Sequence, residues 1–167
     1  MERSSDPEQG LLAKKIGGRY ARNAMFVGLL CAAVILMPFD DWNLNGAIEL
    51  VTNWPLQSAI CLVGGPLIGT LFGRWAGKEV LINNRNAFFF SLATGFMSVL
   101  ATTLLFSSVA FIGEGLLGSA PLQLDTLNYI AKPLYWTLLF ASPVIVLVAG
   151  IMALFLRWAR KRYFTRT

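Results

Sequence analysis

Hydrophobic positions along the chain gather into four long runs separated by short polar stretches. The runs are Asn23 to Phe39, Leu56 to Gly73, Ala87 to Gly113 and Leu134 to Leu156, and none contains an Asp, Glu, Lys or Arg. A hydrocarbon core of about 30 Å takes roughly 17 to 25 helical residues to cross. The pattern therefore predicts an all-α integral membrane protein with four transmembrane helices. It divides into an amphipathic amino-terminal segment (1–22), a transmembrane domain (23–156) and a basic tail (157–167).

The amino-terminal segment "DPEQGLLAKKIGGRYAR" opens like a capped helix. Asp6 can accept hydrogen bonds from the first turn, Pro7 suits the first helical position, and Gln9 has the capping-box spacing. Leu12, Ile16 and Tyr20 share a face opposite the basic residues, which predicts an interfacial helix on the membrane surface, interrupted at Gly17 and Gly18. A second short surface helix is expected from Pro121 in "PLQLDTLNYIAK".

Charge orients the four spans. Of the 14 basic residues, all but Lys132 precede the first run, join the second to the third, or follow the fourth. Basic residues near helix ends are retained on the cytoplasmic side, so both termini are expected there, in a bacterial inner membrane. Lys14, Lys15, Arg19, Arg22, Arg157, Arg160, Lys161 and Arg162 are then placed to meet lipid headgroups. The net charge of +5 is a topology signal and not a nucleic-acid footprint. The first run ends "ILMPFDDW", without a small-x-small cleavage pattern, and is expected to remain as an anchor. The expected outer loops are acidic (Asp40, Asp41, Glu49, Glu114, Asp125) and edged by Trp and Tyr.

Composition narrows the chemistry. The 167 residues are 56% hydrophobic, only 14% charged, and include no histidine. No H-E-x-x-H, G-x-S-x-G or phosphate-binding glycine loop is present, and no acid or base lies within a span. No catalytic, cofactor-binding or metal-binding residues are therefore expected. Cys31 and Cys61 lie in separate spans, where they read as small apolar residues.

What the sequence offers in place of catalysis is packing. "GGPLIGTLFGRWAGK" places Gly65, Gly69, Gly73 and Gly77 four residues apart, although each helical glycine costs roughly 1 kcal/mol relative to alanine. In lipid, small residues let helix backbones approach closely, so the ridge predicts a docking groove. The third run is its expected partner, through a face carrying Ala87, Ser91, Thr94, Ser98, Ala101 and Thr102, with Gly95 beside it. Pro66 and Pro143 are expected to kink their helices.

Two pairs of short matches also recur. "RNAMF" (22–26) and "RNAFF" (85–89) open the first and third runs; "RWAGK" (74–78) and "RWARK" (157–161) close the second and fourth. They read either as ordinary interface composition or as a tandem two-helix duplication with parallel repeats.

The four-span plan is similar to that of the disulfide-generating quinone reductases and of signal peptidase II, but lacks the external cysteine pairs of the former and the aspartate motifs of the latter. With its basic carboxyl end and short "LINNRN" inner loop it also resembles, in topology alone, the four-helix immunity proteins that act against pore-forming colicins. The expected function is a non-enzymatic accessory, assembly or regulatory subunit. It would work in the lipid bilayer by contact with other membrane-protein helices, in a hetero-complex more than a homo-oligomer. The alternatives are a small oligomeric channel or uncoupled transporter, and an immunity or exclusion protein.

Overall fold

The computed structural model describes residues 7–36, 48, 52–53, 55–112 and 130–164. The acidic outer loops and the surface helix expected from Pro121 lie outside the described residues. Every regular element described is helical: α1 (Pro7–Leu36), the short α2 (Pro55–Ala59), α3 (Gly65–Leu81), α4 (Ala87–Ala110) and α5 (Lys132–Tyr163). Among the described residues, three helices are long and apolar enough to cross a membrane, namely Ile60–Leu81, Ala87–Ala110 and Lys132–Tyr163. Within α1, the part that belongs to the first apolar run extends from Asn23 to Leu36, about 21 Å of helix.

The expected break at Gly17 and Gly18 does not occur. α1 continues through both residues as one 30-residue helix, and its amino-terminal half packs against α3. Two glycines in mid-helix are destabilising by themselves; here they are offset by the backbone contact they permit.

Ahead of α3 the chain winds as a π-helical segment, Ile60–Gly64, and Pro66 falls in the first turn of α3. The helical path is unbroken from Pro55 to Leu81, and Pro66, which has no N–H to donate to the preceding turn, stands where the winding changes from π to α. Pro143 sits inside the continuous helix α5.

The turn between α3 and α4 is fixed by local bonds. Glu79 pairs with Arg85 at 3.3 Å and accepts from the Asn83 amide at 3.0 Å. Asn84 takes the left-handed conformation at φ 57°, which asparagine tolerates better than most residues. Asn86 then caps α4, its side chain accepting from the backbone N–H of Phe88 at 3.0 Å.

α1, α3, α4 and α5 form a ring in which each helix packs against the next and α5 closes on α1. Tyr20 stacks on Phe155, with centroids 5.6 Å apart, and Trp75 tilts against Phe90 at 5.0 Å. These contacts bring the start of α1, the end of α3, the start of α4 and the end of α5 to one end of the bundle. The basic residues gather there too, with Lys132 at the far end.

The apolar core also lies at that end: Ala13, Ala21, Ala76, Val80, Leu81, Ala87, Phe90, Met152, Ala153, Leu156 and Ala159 form one buried cluster. Its many alanines follow from the close approach of the backbones.

Candidate functional site

Gly65, Gly69, Gly73 and Gly77 all lie buried along one side of α3, but their principal partner is α1 and not the third apolar run. A Cβ added to Gly17 would fall 2.5 Å from the Gly77 Cα and against the Gly73 carbonyl oxygen. One on Gly77 would fall 2.8 Å from the Gly17 Cα and against the Ala13 carbonyl oxygen, and one on Gly73 would meet the Ala21 methyl. At Gly69 the neighbour is the Met25 Cγ at 2.5 Å.

The order of these contacts, Ala13 beside Gly77 and Met25 beside Gly69 and Gly65, makes the pair antiparallel. α4 reaches the ridge through Thr102, 3.7 Å from a Cβ at Gly65. Ala13, Gly17 and Ala21 repeat the four-residue spacing on α1. That signal is present in the sequence, but it sits among Lys14, Lys15, Arg19 and Arg22 and so reads as surface helix.

The hydroxyl face of α4 is turned into the bundle. Ser91, Thr94 and Ser98 are buried, and the Thr94 and Thr102 hydroxyls donate to the carbonyls of Phe90 and Ser98, each at 2.8 Å. The Ser91, Ser98 and Ser107 hydroxyls are buried with no hydrogen-bond partner among the described residues. Gly95 admits Ile145 of α5, whose Cγ2 lies 2.8 Å from a Cβ built there.

Ser91 and Ser98 lie at the edge of a cavity of about 590 Å³ bounded by α1, α4, α5 and Cys61 of the π-helical segment, but their hydroxyl oxygens are closed off from it. Its walls include Ala24 and Gly28 on α1, Thr102 and Phe106 on α4, and Trp136 and Phe140 on α5. Among the described residues no charged side chain lines it. Its lining runs from Ala21 and Met152 of the core to Trp136 and Phe140, exposed rings stacked 5.8 Å apart.

At the basic end, Lys14, Lys15, Arg19, Arg22, Arg157, Lys161 and Arg162 are exposed and Arg160 is half-buried. Arg162 lies over the Trp158 ring at 5.0 Å from its centroid, holding that cation beside an aromatic surface. Among the described residues no group of acidic, cysteine or histidine side chains is placed to hold a metal ion.

The closing signatures occupy matching places. In "RWAGK" and "RWARK" the alanines, Ala76 and Ala159, are fully buried, while Trp75 and Trp158 are half-exposed. The opening signatures do not match, since Asn86 caps a helix whereas Asn23 lies within α1.

Together these features define a protein that is helical throughout its regular elements among the described residues, with three helices of the length and composition of membrane spans. Comparison with protein-family models, with curated proteins and with solved structures found no match.

Proposed function

We propose that the protein is a four-span integral membrane protein of a bacterial inner membrane, with both termini cytoplasmic. It acts without catalysis, as an accessory or assembly subunit held by helix contacts within a larger membrane complex. The observation that carries this reading is how the small and large side chains are sorted. The glycine and alanine seam is consumed inside the chain, making a tightly joined helix pair. Apolar ridges remain outside: Val63 in the π-helical segment with Leu67, Leu71 and Trp75 on α3, and Leu147, Ile151, Leu154 and Trp158 on α5, all exposed. Exposed apolar surface of this extent faces lipid or another protein's helices. The first apolar run completes a fourth crossing because α1 lies antiparallel to α3 and carries its basic residues to the same end.

Purification from native membranes in mild detergent tests the reading. A stoichiometric set of other membrane subunits is the expected result. A single-species homo-oligomer that conducts ions after reconstitution would replace it with the channel reading.

A further inference from the structure

We propose that the matched basic ends of α3 and α5 are two equivalent sites, each binding the headgroup of one anionic phospholipid. The inference rests on the reading that the chain spans a membrane and is independent of any partner complex. The closing signatures are longer than their Arg-Trp centre: "LFGRWAGK" (71–78) and "LFLRWARK" (154–161) differ only where Gly73 and Gly77 correspond to Leu156 and Arg160. Packing sets the differences: Gly73 and Gly77 admit the α1 backbone, and Leu156 fills the core. The buried alanines, Ala76 and Ala159, belong to that core as well. What otherwise repeats is the outer face. Leu71 and Leu154 are 63% and 66% exposed, both tryptophans are half-exposed, and Arg74, Lys78, Arg157 and Lys161 are exposed. Interior packing does not account for a match among outward residues, which leaves a shared feature of the surroundings.

The spacing makes a composite surface. Arg and Lys at i and i+4 lie on one face with Cβ atoms about 5–6 Å apart. Leu71 and Leu154, three residues before each arginine, share that face about 4.5 Å along the axis on the apolar side. Like charges at the i, i+4 spacing repel; a phosphate accepting from both removes the repulsion and adds charge-assisted hydrogen bonds. The Arg74 stem lies along α1, its Cγ 3.0 Å from a Cβ built on Gly18. Glu79, the carboxylate nearest in sequence to Lys78, is engaged by Arg85 and Asn83. On α5, Arg162 adds a further cation over the Trp158 ring.

A phospholipid carries phosphate, glycerol esters and hydrocarbon in the order in which each helix presents its cations, its tryptophan and its leucine, and tryptophan belongs at the middle level. Two cations favour a head of net negative charge over a choline head, whose ammonium they would repel. A single partner helix fits less well. α3 and α5 stand diagonally across the ring, so their matched faces look away from each other, whereas lipid surrounds the bundle and reaches both. Beyond Leu71 and Leu154 the apolar ridges stay open to other helices.

The test titrates the full chain in detergent with dioleoyl phosphatidylglycerol, dioleoyl phosphatidylcholine or glycerol 3-phosphate, read by native mass spectrometry. Phosphatidylglycerol should saturate at two molecules per chain and bind about tenfold more tightly than phosphatidylcholine. Glycerol 3-phosphate, without acyl chains, should not bind. R74Q with K78Q should leave one site, R157Q with K161Q should leave one, and the four changes together none. Circular dichroism should stay unchanged, because all four side chains are exposed. K14Q with K15Q, which removes the same charge from α1 outside both signatures, should leave two.

The proposal is overturned if phosphatidylcholine binds as tightly, if saturation falls at a number other than two, if the α1 variant loses as much as either pair, or if the fourfold variant still takes up two. Glycerol 3-phosphate binding as tightly as the lipid would overturn it in favour of a free phosphate. Alkaline extraction of native membranes separates this failure from that of the membrane reading. Release of the chain into the soluble fraction overturns both, whereas retention with no preference for phosphatidylglycerol overturns the lipid sites alone.

Discussion

At the scale of single residues, the glycines differ in what surrounds them, and that sets the order of their sensitivity. A methyl on Gly17 or Gly77 meets backbone of the opposing helix, whereas one on Gly69 meets the flexible Met25 side chain. Backbone cannot yield unless the helices part, and overpacking of that kind costs about 1–3 kcal/mol. Gly17→Ala and Gly77→Ala should therefore lower the unfolding temperature in detergent, and Gly69→Ala should do so less because Met25 can move. Gly150→Ala, with open space around it, should be neutral or stabilising by up to roughly 1 kcal/mol through helix propensity. Equal stability of Gly77→Ala and Gly150→Ala would show that the seam does not hold the helices together. The ridge on α3 was legible in the sequence because its glycines stand out in an apolar stretch. Its partner was not, because hydropathy averages Gly17 with the cations on either side of it and conceals a small-residue spacing that depends only on volume.

At the scale of elements, the apolar runs anticipated α3, α4 and α5, since length and lack of charge suffice to define such helices. The fate of Gly17 and Gly18 required knowledge of a neighbour: glycine opposes helix locally and favours it where a second backbone approaches, and sequence periodicity reports only the first effect. The cap at Asn86 likewise separates two five-residue signatures that look alike in sequence, because one follows a turn and the other continues a helix. The arrangement of the ring gives a topological prediction. With Cys31 and Cys61 replaced by alanine, a cysteine at Ala131, at the far end from the basic cluster, should react with an impermeant thiol reagent added outside intact cells. A cysteine at Asn84, in the turn between α3 and α4, should react only after the membrane is opened. Labelling of Asn84→Cys in intact cells would invert the proposed orientation or remove a span.

At the scale of the whole molecule, packing is uneven along the bundle axis. The core cluster lies where the basic residues gather, and the cavity occupies the interior beyond it. Leu156, fully buried, and Leu154, 66% exposed, are two positions apart on α5 and test this division with the same chemistry. In lipid a side chain gains little by moving from acyl chains to a protein interior, so Leu154→Ala trades one apolar surrounding for another and should change stability little. Leu156→Ala leaves a void among Ala76, Val80, Met152 and other core side chains. The lost dispersion contacts are not replaced, and core truncations of this type cost about 2–5 kcal/mol. The variant should unfold at a distinctly lower temperature. Because helices α1, α3, α4 and α5 all contribute to the cluster, hydrogen exchange should accelerate on all four at the basic end and not on α5 alone. If Leu154→Ala proves as damaging as Leu156→Ala, the exposed ridge of α5 is covered in the native assembly by something that packs as closely as a core. That outcome would point to a partner helix seated along Leu147, Ile151, Leu154 and Trp158, whereas indifference at Leu154 leaves that ridge to lipid.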